Sequence, residues 1–487
     1  MNKRDFPKIH FYDQDFVDIY DKTWTWLQDF YIDPHTGEPD VDGYFLYPGS
    51  GTGNYVLDQT ESIFSTFFLV YSNRNYTASK NLDFLYEKQE ENGAIRWKYD
   101  VKTGVPLFTA DNPEGVGLPL FAWAEFNLFH KSANKRRVKE IVPVLVRFMS
   151  WIDAAFRQPN GLYNAPAVAS TMYNSPRDGT VYPVDFNTAL AINALYLSSL
   201  GDILNDKDMS FQYKRLYFSL KTRINSLMWT PDTGLYHDLD GDEKRLPHKT
   251  IAGFWPLLAE IPNEEKAEML VANLRDPATF GTEHPFPTLS ADDPRFSANG
   301  EGFCGSVYPP FNFMVIKGLE KYQRWDLARE SAIKHLYFIL DAYAPGSIDM
   351  SNGDIWEAYK PKGDGSAITE NEDHTIIPGG GEFPRKRFLP YVGLSTIALM
   401  IESVVGIIIS LPRKTVDWII PNMEVMGIEN LALKRNMITI LSNKNLRGWE
   451  IQLESEKLYY FTINIIGKKK KTLPIPSGKC SMLIDKL

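Results

Sequence analysis

The sequence predicts a mainly α protein, an (α/α)6 toroid carrying a small β-rich C-terminal domain, and three observations lead there. Apolar residues recur with helical period in about twelve segments before residue 410. Several of these segments end in a turn, a glycine and a short extended run, so a helix, helix, loop unit repeats. After Pro412 the period becomes alternating, which separates a β-rich domain, 411–487, from a helical domain, 1–410.

In chain order the helical period covers residues 14–30, 59–72, 77–91, 118–131, 135–156, 186–204, 211–229, 251–260, 264–275, 310–322, 326–343 and 391–406. The internal echo lies at Asn92-Gly93, Asn160-Gly161 and Thr233-Gly234, each followed by alternating apolar residues. Glycine just past a helix supplies a left-handed cap, and the run after it dips a short strand into the fold. Helices in repeating antiparallel pairs suggest a toroid, whose loops at one end build a single cleft. Strands are expected at 415–420, 437–441, 448–453 and 458–465, with the basic run Lys468 to Lys471 read as a solvated hairpin turn.

Bulk properties narrow the function. A hydrophobic fraction of 44% with 23% charge belongs to a soluble globular chain. The net charge of -9 and scattered basic residues argue against a nucleic-acid partner. Cys304 and Cys480 are too few for a disulfide framework and lack metal-ligand spacing, so no metal or cofactor is expected. The N-terminus lacks the apolar core of a signal peptide, which suits a cytoplasmic protein, or a periplasmic or secreted one whose leader has been removed. The apolar run 391–411 contains Glu402 between Pro390 and Pro412, so a buried helix is expected rather than a membrane span.

The chemistry concentrates in four loop segments. In Gly353 to Pro361, Glu357 lies between Trp356 and Tyr359, a setting in which aromatic faces can stack on a pyranose while the carboxylate activates water. Asp58 and Glu61 open the helix at 59–72 with the spacing of a capping box, and can equally face a sugar. The long loop 164–185 gathers Tyr173, Asn174, Arg177, Asp178, Tyr182 and Asp185. The segment 285–310 carries Asp292, Asp293 and Glu301, acidic residues that serve as turn formers or hold a sugar or cation. Beyond Glu357 come His374, three glycines at 379–381 and the basic cluster Arg385, Lys386 and Arg387, which could hold an anionic substituent.

The ordered motifs NSPRD (174–178), VDFNTALAINALYLSSLGDIL (184–204), GSVYPPFNFMVIKGL (305–319), WEAYKP (356–361) and YVGLSTIALMIESVVGI (391–407) resemble the (α/α)6 glycosidases. These include mannosylglycerate hydrolase, the family 63 α-glucosidases and, more distantly, the trehalases. The resemblance covers most of residues 50–410, and the tail is similar to the β module that often follows. It implies an inverting glycoside hydrolase with Glu357 as general base and Asp58 as a sugar ligand. Two positions depart from that pattern: Tyr173 stands where the family has its acidic Asp, and Cys304 where it has an arginine.

The expected function is therefore hydrolysis of an oligosaccharide. Glu357 is the base, Asp178 or Asp185 the displaced acid, and Tyr173 a further catalytic candidate; Asp58, Glu61, Arg177, Asn174, Trp356, Tyr359, Tyr308 and His374 line the substrate. A second expectation is a uronate-active lyase or dehydratase using Tyr173, His374 and Arg177. A third is a carbohydrate-binding protein without turnover.

Overall fold

The computed structural model describes residues 6–33, 43–45, 56–166, 169, 172, 176–343, 353–363, 384–420, 424–465 and 471–483. Its helices are α1 (Gln14–Leu27), α2 (Gln59–Leu69), α3 (Lys80–Glu87), α4 (Phe121–Ser132), α5 (Lys135–Phe156), α6 (Val184–Leu204), α7 (Lys207–Arg223), α8 (Trp255–Leu258), α9 (Glu264–Arg275), α10 (Pro309–Lys321), α11 (Trp325–Tyr343) and α12 (Leu389–Gly393). A π-helical turn, Ile224–Met228, extends α7; a 3-10 turn, Ile251–Phe254, leads into α8; and α12 continues as a π-helical segment, Leu394–Val404. Asp13, Asn134, Asp206 and Asn263 each accept a backbone N–H at the start of α1, α5, α7 and α9, which satisfies donors that helix geometry leaves open.

Helix composition sorts the helices into enclosed and peripheral ones. α2, α6, α10 and the segment Leu394–Val404 are buried on nearly every side, whereas α5 and α9 bury one stripe and expose charge on the other. The enclosed elements pack in succession: α2 on α4, α4 on α6, α6 on α8, α8 on α10, α10 on Leu394–Val404, and that segment back on α2. Around them α3 packs on α2, α5 on α4 and α6, α7 on α6, α11 on α10, and α1 on the last segment. Phe67, Trp123 and Phe313, from α2, α4 and α10, meet in the middle, with ring centroids 4.3 to 6.1 Å apart. Gly393 allows α12 to press on α2, since a Cβ there would lie 2.7 Å from the Phe68 ring.

The repeated glycines behave as their turns require. Gly93, Gly161 and Gly234 all have φ between 63° and 95°. The runs beside them pair as Arg157 with Tyr163, and as β6 (Trp229–Thr230) with β7 (Leu235–Tyr236). Two further short pairs are β2 (Tyr31–Ile32) with β3 (Tyr44–Phe45), and β4 (Val56–Asp58) with β5 (Lys98–Asp100).

From Ile407 the chain is strand: β8 (Ile407–Ser410), β9 (Thr415–Ile420), β10 (Met426–Leu433), β11 (Asn436–Asn445), β12 (Gly448–Ser455), β13 (Tyr459–Ile465), β14 (Lys471–Ile475) and β15 (Gly478–Leu483). One sheet has the order β14-β13-β9-β8 with β13 parallel to β9, and the other β1-β10-β11-β12-β15. β1 (Lys8–His10) comes from the N-terminus and pairs Ile9 with Ile428, so the first and last parts of the chain share a sheet. The expected turn at Lys468 lies outside the described residues, although β13 and β14 do pair antiparallel. Among the described residues no helix is long and apolar enough to cross a membrane. Glu402, within the apolar run, pairs with Lys131 and Lys317.

Candidate active site

Three extended segments meet at the N-terminal ends of α2, α10 and α12. Val307 and Tyr359 exchange backbone hydrogen bonds of 2.9 and 3.0 Å, and on the other side Glu357 N–H donates to the Arg385 carbonyl at 2.9 Å. Glu357 is thus fixed between neighbours, with its side chain only 7% exposed. Burial of this kind requires partners, and Arg385 supplies them. Its Nε donates to Glu357 Oε2 at 2.9 Å, its Nη2 to Oε1 at 2.7 Å, and its backbone N–H to Oε2 at 3.2 Å. The guanidinium lies 3.7 Å from the Phe388 ring centroid, which holds the fork flat.

The same Nη2 donates to Glu61 Oε1 at 3.1 Å. Glu61 stands in the first turn of α2, and Asp58 caps that helix by accepting from Thr60 N and Glu61 N at 2.7 and 3.1 Å. Lys98 Nζ, on the paired strand β5, lies 3.6 Å from Asp58 Oδ2. Glu61 does not reach back to complete a capping box; its carboxyl goes to Arg385. Burial raises the Glu61 pKa to about 7 from its usual 4.5, with the charges of Asp58 and Glu357 adding to the rise and those of Arg385 and Lys98 opposing it. Tyr391 is held well above its usual value by burial and by the same three carboxylates. Two carboxyl groups thus share one guanidinium, one of them with its pKa raised by burial.

The other expected residues are distributed differently. Tyr359 is fully buried, and its Oη accepts from Trp356 N–H at 3.1 Å, so it braces the segment from within. Tyr308 is buried against Phe303 and Phe311. Trp356 is half-buried, with Lys386 Nζ 5.0 Å from its ring centroid. Arg177 clasps Asp185 through two hydrogen bonds of 2.8 and 2.9 Å and Asp238 through two of 2.7 and 2.8 Å. Asp185 is 0% exposed, and its oxygens are taken by Arg177 and Phe186 N–H. This triad fastens the start of α6 and the loop before it, and it removes Arg177 from the role of neutralising a substrate carboxylate. Asp178 is 85% exposed and pairs with Arg295 at 2.8 Å. Arg295 also reaches His248, which faces Asp293. Asp292 is held by Lys249 and Ser290. Burial pushes the Cys304 thiol up to about 11, which keeps it uncharged. Tyr173, Asn174 and His374 lie outside the described residues. Arg385 appears in the sequence only as part of a basic cluster, and Lys98 and Asp238 carry no local signal beyond their place after the repeated glycines.

Residues 72–375 match the mannosylglycerate hydrolase MGH1-like glycoside hydrolase domain, and residues 406–487 the trehalase C-terminal domain. An "Uncharacterized protein" of Borreliella burgdorferi is 49% identical over 490 residues, covering 100% of both chains. The cytosolic neutral trehalase of Kluyveromyces lactis is 24% identical over 291 residues, which span 54% of this chain and 36% of that one. The structure of the GH63 mannosylglycerate hydrolase from Thermus thermophilus in complex with glucose is similar with a TM-score of 0.58 and 18% identity, over 78% of this chain and 98% of that one.

Proposed function

Because the chain belongs to the mannosylglycerate hydrolase MGH1-like glycoside hydrolases, we propose that it hydrolyses an oligosaccharide with Glu357 as general base and Glu61 as the proton donor. The observation that carries this reading is the sharing of one Arg385 nitrogen by these two carboxyl groups, with Glu61 titrating near neutrality. A general acid works best with a pKa near the working pH, and Glu61, with its side chain 16% exposed, lies between the 85% of Asp178 and the 0% of Asp185. Asp58 and Lys98 border Glu61 and offer hydrogen bonds to sugar hydroxyls, and the Trp356 ring offers an apolar face.

The Glu61 and Glu357 oxygens both sit on one nitrogen, at 3.1 and 2.7 Å, closer together than the ~6.5–9.5 Å that an inverting pair keeps for its water. We therefore assign Arg385 a second task. It neutralises the pair at rest, then yields the space between them to the sugar, after which Glu357 takes the proton of the incoming water. The closed succession of inner helices from α2 round to Leu394–Val404 supports an (α/α)6 toroid as the scaffold, with the site at the N-terminal ends of those helices. The chain divides on this reading into a helical unit, 1–410, and a β-rich unit, 411–487, to which β1 and β8 lend strands.

The test follows reducing ends and ultraviolet absorbance together while the protein is incubated with neutral and uronate-containing oligosaccharides. New reducing ends that vanish in Glu357→Gln support hydrolysis. Absorbance of an unsaturated uronate refutes it, and turnover that persists in Glu357→Gln refutes the assignment of the base.

A further inference from the structure

A cavity of about 320 Å3 opens at the C-terminal ends of the same helices, away from Glu357. Its walls come from the later parts of α2, α4 and α10, from Glu402, and from β8 with the turn that follows it, so the β-rich part of the chain forms one side. The volume lies in the range of ordinary ligand sites. Inside, Lys131 and Lys317 Nζ stand 3.0 and 2.8 Å from the two oxygens of Glu402, Lys317 also reaches Glu320 at 2.9 Å, and Ser403 Oγ–H donates to Glu320 at 2.6 Å. These groups are nearly saturated by one another. An ionic network taken out of water costs several kcal/mol per charge before its internal pairing offsets that cost, so it is weak evidence for stability alone.

Other donors around the cavity have spare capacity. The Nδ2 atom of half-buried Asn127 is shielded from solvent and has no hydrogen-bond partner among the described residues, and Asn127 lines this space. Arg413, an exposed residue of the lining, makes no ion pair among the described residues, whereas Lys321, also in the lining, is already paired with Glu260 at 2.9 Å. The lining holds four cations, Lys131, Lys317, Lys321 and Arg413, against three carboxylates, Glu320, Glu402 and Asp417. His130 is neutral, since burial lowers its pKa to about 4. The rings of Phe126 and Tyr196 stand 4.8 Å apart, with Lys321 Nζ 5.7 Å from the Tyr196 centroid, and Phe126 is only partly covered, a surface suited to the apolar face of a sugar.

We propose that this cavity binds a monosaccharide phosphate. The phosphate meets Asn127 and Arg413, the ring lies against Phe126, and the hydroxyls meet the remaining acceptor positions of Glu320 and Glu402. Calorimetric titration of the full chain with glucose 6-phosphate, glucose and inorganic phosphate tests it. One saturable event is expected with glucose 6-phosphate, at least tenfold tighter than with either fragment. Asn127→Leu and Arg413→Gln should each weaken it at least tenfold, and Glu357→Gln should leave it unchanged. Arg413 is exposed on a turn, so that variant reports even where Asn127→Leu fails to fold. The proposal is overturned by absence of glucose 6-phosphate binding, by equal affinity for phosphate alone, by indifference to Arg413→Gln, or by loss of binding in Glu357→Gln, which would place the ligand at the other site.

Discussion

Replacing Glu61 with Gln tests the site through stability as well as activity. The folded protein holds the Glu61 proton up to about pH 7, whereas the unfolded chain releases it near 4.5. Between those values the folded state binds more protons, so this group's contribution is favourable at low pH and is lost as pH rises through 7. At about 1.4 kcal/mol per pKa unit, the charged carboxylate costs the folded state about 3 kcal/mol at pH 8. Gln has the same shape and no charge, so Glu61→Gln should gain that amount at pH 8 and nothing below pH 4.5. Unfolding entropy of ~2.1 cal/mol/K per residue over this chain length converts 3 kcal/mol into a rise of about 3 °C. Thermal melts of both proteins across pH 4.5 to 8 measure it. The same variant should lose ~10²–10⁴ in kcat, together with the alkaline limb near pH 7 that the wild type is expected to have. A variant that melts in parallel with the wild type at every pH, or lower at pH 8, refutes the reasoning, because Arg385 would then be stabilising a charged Glu61.

Three further outcomes follow from the same geometry. The first sugar released should have the opposite anomeric configuration to the bond cleaved, read by proton NMR within the first turnovers; retention would mean that Glu357 attacks carbon rather than activating water. Arg177→Met leaves Asp185 and Asp238 buried without their cation, so stability should fall by about 3–5 kcal/mol, or about 3–5 °C in Tm; a loss under 1 kcal/mol would show that the loop relaxes to let water in. His335 is buried and bonded to His284 and Ser395, and burial lowers its pKa to about 3 from 6.5. Its contribution is therefore complete above pH 6.5 and is lost as pH falls toward 3, and His335→Gln should flatten the acid side of the melting profile.

Helical period is a property of consecutive residues, which is why α5 and α11 are legible within a few positions of their ends. The short helices are less so. The expected helix at 251–260 forms as a 3-10 turn and the four residues of α8, because the burial of Trp255 and Leu258 against α10 shapes it more than its own pattern does. In the β-rich part the alternation marks β9, β11, β12 and β13, whereas β8, expected to continue the buried helix of the apolar run 391–411, and β10, β14 and β15 pass unnoticed; β10 is bulged at 428–431, which breaks the period of two.

Sequence by itself determined the helical repeat, the change of texture after Pro412, the left-handed glycines and the singling out of Glu357, since each is written in residues a few places apart. Tertiary structure alone decided which carboxylates share one guanidinium. Glu61 and Arg385 stand 324 positions apart, and Arg177 and Asp238 stand 61 apart. The pairing turned two similar-looking acidic residues into opposites: Asp185 sealed in an ion triad and Glu61 raised to about 7. Desolvation and the sum of nearby charges set a carboxyl group's pKa, and both depend on which distant segments the fold brings alongside it.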